Sequence, residues 1–199
     1  AIGSGALATS TTATDNTAVG YQALNANTSG ADNVAVGDEA GHDITTGSRN
    51  TILGSKAGDA ATTTDDSTLV GYGAGGGAIM TGHDNVAVGA NALSVTTSGS
   101  DNVAVGKSSL ASNTTGTQNT ALGTSSLGAN TTASYNTAVG YNAGVANTTG
   151  TKNAFFGSYT GDANTTGNNN TAIGQAALSA NTTGDSHTAV GNDALISNT

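Results

Sequence analysis

The sequence predicts an all-β chain: a parallel β-roll or β-solenoid of twelve 17-residue coils, probed here through three regularities. One glycine recurs at Gly3, Gly20, Gly37, Gly54, Gly71, Gly89, Gly106, Gly123, Gly140, Gly157, Gly174 and Gly191, every interval being 17 except the 18 from Gly71 to Gly89. The two residues before each glycine are always apolar. A segment such as Asn147-Thr148-Thr149-Gly150 closes nearly every unit. A fixed period of this kind marks stacked units, each unable to bury its apolar face alone.

Composition leaves little alternative. The 199 residues include 30 Gly and no Pro, Cys or Trp; only 9% are charged and 4% aromatic. Large apolar side chains are too few for one compact core, so small residues must be buried by regular stacking. A single repeat domain over residues 1–199 follows, beginning and ending partway through a unit. It is expected to be a segment of a longer fibrous protein.

We number a typical unit from Asn136 (position one) to Lys152 (position seventeen). Asn136-Thr137-Ala138-Val139-Gly140 reads as a short strand ending at glycine, and Asn147-Thr148-Thr149-Gly150 as a turn. A second extended piece is expected between them, around Ala143. Helix is disfavoured, because Asn, Thr and Gly are poor helix formers and no 3.6-residue period runs between the glycines.

Position three is Ala1, Ala18, Ala35, Ile52, Leu69, Ala87, Ala104, Ala121, Ala138, Phe155, Ala172 and Ala189. Position four is Ile2, Val19, Val36, Leu53, Val70, Val88, Val105, Leu122, Val139, Phe156, Ile173 and Val190. Neighbours on a strand face opposite ways, so this strand is apolar on both sides. Position nine is Leu7, Leu24, Leu93, Leu110, Leu127, Leu178 or Leu195 in seven units and Gly41, Gly58, Gly75, Gly144 or Gly161 in five. The bulky Ile52, Leu69 and Phe155 occur only in units with a position-nine glycine. Such volume compensation places positions three and nine in one packed interior. Position four is then left to pack against other copies of the chain, and a threefold bundle suits a fibre. The Asn at position one, replaced only by Ser67 and His187 among the eleven complete starts, is expected to form an amide ladder along the stack.

Motifs such as Asn33-Val34-Ala35-Val36-Gly37 and Asn170-Thr171-Ala172-Ile173-Gly174 resemble the repeats of YadA-like heads of trimeric autotransporter adhesins. The longer unit, with its Asn-Thr-Thr-Gly turn, also resembles repeat regions of bacteriophage tail fibres. The resemblance covers essentially the whole chain. It implies a left-handed parallel β-roll of three intertwined chains, with the position-four side chains as trimer core. It also implies display on a bacterial cell or virion exterior, and adhesion to host-surface glycan or matrix. The family's usual repeat is nearer 14 residues, and its anchor and stalk are not in this segment.

The functional alternatives differ in class. A structural shaft needs length and uniform repeats. A binding head needs an irregularity, and residues 75–83 supply it through the glycine run, the extra residue and His83. No enzyme is expected and no cofactor is called for. His42, His83 and His187 lie in different units, and no Gly-x-Ser-x-Gly elbow with spaced Asp and His is present. Gly71-Tyr72-Gly73-Ala74-Gly75 lacks the lysine and following helix of a phosphate loop. The net charge of −9 with four Lys and Arg argues against nucleic acid and anionic membrane surfaces.

Four weaker candidates come from columns in the repeat. Asp15, Asp32, Asp66, Asp84 and Asp101 share position seventeen and could take Ca²⁺, though a hydrated acidic stripe is the simpler reading. Asn27, Asn113, Asn130, Asn147, Asn164 and Asn181 head sequons in register, as candidates for glycosylation. The Thr-Thr pairs raise ice binding, although consecutive Thr cannot share one face. Tyr21, Tyr72 and Tyr141 at position six are expected to cap the edge of the core, with sugar stacking as the other use. Phe155, Phe156 and Tyr159 are expected to form a local hydrophobic plug.

Overall fold

A computed structural model describes residues 1–198. It is a parallel β-solenoid in which each unit gives one three-residue strand. The strands are β1 (Thr17–Val19), β2 (Val34–Val36), β3 (Thr51–Leu53), β4 (Thr68–Val70), β5 (Val86–Val88), β6 (Val103–Val105), β7 (Thr120–Leu122), β8 (Thr137–Val139), β9 (Ala154–Phe156), β10 (Thr171–Ile173) and β11 (Thr188–Val190). They pair in sequence order in one parallel sheet. Ala18 stands opposite Ala35 and Val139 opposite Phe156, so residues one period apart are lateral neighbours. About ten turns are complete. The twelfth coil of the sequence count is reduced to a single bridge between Ile2 and Val19. No helix occurs among the described residues.

The second strand expected around Ala143 does not form. Positions six to eleven are a run of tight turns instead. The N–H groups of Ala143, Val145 and Asn147 bond three residues back, to Gly140, Asn142 and Gly144. Those of Asn142, Gly144 and Ala146 bond adjacent coils, through Thr124, Thr160 and Asp162. This alternation needs a left-handed backbone at positions seven and nine, where Asn142 has φ 54° and Leu127 φ 48°. Leucine tolerates that conformation only where packing over-determines it. The invariant position-five glycine has a stricter cause. Gly54 has φ 137°, and a Cβ there would lie 2.7 Å from the carbonyl oxygen of Gly71 in the next coil.

The interior is as the volume argument requires. Ala18, Ile52, Leu69, Ala104 and Phe155 of position three are buried, with Leu24, Leu93, Leu110, Leu127 and Leu178 of position nine. A Cβ on Gly144 or Gly161 would stand within 2.7 Å of the Phe155 ring. Phe155 therefore occupies the space that two leucines would otherwise fill. The plug is Phe155 alone, since Phe156 and Tyr159 lie on the surface.

Two columns of asparagine complete the cross-section. At position one, Asn50 Nδ2 donates to Asn33 Oδ1 and Asn119 Nδ2 to Asn102 Oδ1, at 2.9 and 3.1 Å. Each position-one oxygen also accepts the backbone N–H of the next coil's position one, as Asn136 Oδ1 does from Asn153. At position twelve, Asn130, Asn147, Asn164 and Asn181 each donate to the asparagine one coil before. The two columns converge on one turn carbonyl. Gly150 O accepts from Asn136 Nδ2 at 2.8 Å and from Asn147 Nδ2 at 2.9 Å, which uses both of its lone pairs.

Candidate association face

The outer face of the sheet is formed by positions two and four. Position four runs unbroken along it: Leu53 is 48% exposed, Leu122 47%, Ile173 43% and Phe156 40%, and Val36, Val70, Val88, Val105 and Val139 are half-buried. Val34 and Val103 of position two add to the same face, and the other position-two residues are Thr apart from Val86 and Ala154. With coils about 4.8 Å apart, the eleven strands make a strip about 48 Å long and, over three residues, about 10 Å wide. Its area, about 480 Å², is near the upper end for an exposed apolar patch on a monomer. The chain has nothing left over to cover it, because positions three, nine and twelve are already packed inside.

The remaining columns are accounted for by their own coil. The sequons do not present their asparagines: Asn27, Asn113, Asn130, Asn147, Asn164 and Asn181 are fully buried, and each Nδ2 donates to the carbonyl three residues on. A glycan on those nitrogens has no room in the folded coil. The sequon pattern reflects interior hydrogen bonding, and the signal was present: position twelve becomes Ile44, Ala61 and Met80 in three successive coils, as a buried position would.

The position-seventeen aspartates occupy left-handed backbone, with φ from 54° at Asp66 to 59° at Asp101, a conformation Asp tolerates better than other side chains do. Asp66 is taken by Arg49 one coil before, through bonds of 2.6 and 2.7 Å, and this pair holds the Asp66 carboxyl below its ordinary pKa. Among the described residues no three of His, Cys, Asp or Glu gather into a group able to hold a metal. His42 pairs with its neighbour Asp43 at 2.6 Å, and His83 lies 3.9 Å from Asp65. Neither adjoins a nucleophile arrangement.

The first Thr of each pair spends its hydroxyl on the next coil, as Thr114 Oγ1 does on Thr131 O at 3.0 Å. Only the second Thr row faces water, so no two-rank Thr surface forms. Tyr21, Tyr72 and Tyr141 are 52%, 59% and 49% exposed and cap nothing. Tyr141 meets Tyr159 edge to face at 5.3 Å. Partial desolvation, with Tyr141 alongside, raises the Tyr159 pKa.

No protein-family model, curated protein or solved structure matches the chain. Among the described residues no helix is long and apolar enough to cross a membrane.

Proposed function

We propose that this chain is a shaft segment of an extracellular fibre, displayed on a bacterial cell or virion, in which three copies pack their outward faces around a common axis. The observation that carries it is the unbroken apolar row of position four on a solenoid whose interior is already full. Three such strips meeting edge to edge remove from water what a lone chain leaves wet. The rod supplies length and stiffness, because each coil is tied to the next by backbone, amide and Thr hydroxyl bonds. The sparse charge of the chain and its likeness to adhesin and tail-fibre repeats support a surface appendage. A second reading, a binding head, is favoured by the one irregular coil.

Light scattering on the purified chain tests association. The expected particle has three chains, and Val105→Asp with Val139→Asp reduces it to one chain with the β signature retained. A monomer of the unaltered chain at micromolar concentration overturns the reading.

A further inference from the structure

Coil five departs from its neighbours in a way that shapes the surface. At positions seven and ten, the preceding coil carries Lys56 and Asp59, and the following coil Asn91 and Ser94. In between, these positions are Gly73 and Gly76, with Gly77 next. Two side chains are missing from one layer, and an open notch of about 190 Å³ results. Its floor is glycine backbone. Lys56 and Asp59 form one wall, Asn91 and Ser94 the other, and Tyr72 stands at the rim. The walls are two coils apart, about 9.6 Å. The extra residue belongs to the same feature: Ala61 pairs with Met80, 19 residues on, while strands β4 and β5 are 18 apart. The chain thus bulges between Gly75 and Met80.

We propose that this notch binds one neutral pyranose residue of a glycan. The space is one coil deep and suits a single ring, below the size of a site for a drug-like ligand. Tyr72 is 59% exposed and offers an apolar ring with a polar tip, suited to the C–H face of a sugar. Asp59, Asn91 and Ser94 supply the mixture of acceptors and donors that adjacent hydroxyls require. Asp59 Oδ1 is sealed from solvent with no donor, and burial raises this carboxyl's pKa. A sugar hydroxyl supplies that donor once the carboxyl turns about its last bond. Charge selects against acidic sugars. Lys56 Nζ is already held by Glu39 at 3.3 Å, so the wall presents Asp59 as its uncompensated charge. Glu39 and Asp43 lie close enough to raise the Asp59 pKa further. The notch is built from one chain's turn run and uses no residue of the outward face, so it stands or falls separately from trimer formation.

The test is a titration of the intact chain with free glucose, galactose, mannose and N-acetylglucosamine, followed by NMR. An array of neutral and acidic glycans, drawn from bacterial polysaccharides and from animal glycoproteins, then identifies the source of the sugar. Binding of a neutral sugar is expected. Tyr72→Ala and Asp59→Asn are each expected to weaken it at least tenfold, and Gly73→Asn to abolish it. Asparagine already stands at that left-handed position as Asn91 and Asn142, with φ 57° and 54°, so the replacement fills the notch without straining the coil. An unchanged melting temperature verifies this. Tyr141→Ala, at the same position in a coil without a notch, is expected to leave binding unaltered. The proposal is overturned if no neutral sugar binds, if Gly73→Asn binds as well as the parent chain, or if only acidic glycans or the amine spermidine bind.

Discussion

The coils around Ile52 and those from Asn113 to Asn181 have the same outline and opposite interiors. In the first group, position twelve is Ile44, Ala61 and Met80, and these meet Ile52 and Leu69 over the bare α-carbons of Gly41, Gly58 and Gly75. In the second, position twelve is a column of five asparagines bonded side chain to side chain. One cross-section is closed by oil, the other by amides that satisfy one another. The comparison teaches that the repeat conserves volume and hydrogen-bond satisfaction together, and does so per group of coils. Exchanging a residue between the two groups should therefore be costly even when its size fits.

The largest expected effect tests how far each interior can relax. Phe155 is flanked by Gly144 and Gly161, and the asparagines beside it, Asn147 and Asn164, are pinned in their column. Phe155→Ala leaves a void that nothing can enter, and should cost about 5 kcal/mol in urea denaturation. Leu69→Ala should cost nearer 3 kcal/mol, because Met80, whose sulfur meets Leu69 over Gly75, is flexible enough to follow. Equal losses would remove the distinction between a rigid and a yielding interior. Next in size is Asn147→Leu. The volumes match, but Asn130 Oδ1 loses its donor and Asn164 Nδ2 loses one of two acceptors. A loss of about 2–3 kcal/mol is expected by thermal or urea melting. Ile44→Leu, the same residue type at the same position in the oily group, should cost under about 1.5 kcal/mol.

Much of this architecture was legible before any coordinates. The period was plain because a position-five glycine has no substitute: its φ and the approach of the next coil both forbid a side chain. The pairing of large position three with glycine at position nine was legible because fixed volume forces the two to vary together. The run of turns at positions six to eleven was not. Left-handed backbone leaves little trace when position seven accepts Gln22, Glu39, Lys56, Ser108 and Tyr159, all with φ near 55°. The buried state of position twelve was hidden for another reason. Asn-Thr-Thr-Gly is good surface turn chemistry, and only the change to Ile44, Ala61 and Met80 betrays an interior site. Of the candidate site, the place was legible in the glycine run, but the walls of the notch come from coils 17 residues away on either side.

The smallest expected effect lies where the two groups of coils meet. Thr96 occupies position twelve between Met80 and Asn113, and its Oγ1 is buried without a partner. Asn113 Nδ2, next in the stack, has Gly116 O as its acceptor but no asparagine oxygen one coil before. Thr96→Val removes the orphaned hydroxyl at nearly constant shape and should stabilise the chain by about 1 kcal/mol. Thr96→Asn instead extends the column by one member: its oxygen would accept from Asn113, and its amide would reach Gly99 O, which now accepts from Asn85 alone among the side chains. It should gain somewhat more than Val, about 1–1.5 kcal/mol in total, by the same melting measurement. If Val gains more than Asn, the amide column merely avoids a penalty and the oily interior is the more stable design. If Asn gains more, each added rung strengthens the stack, and the long column from Asn113 to Asn181 is the stiffer part of the rod.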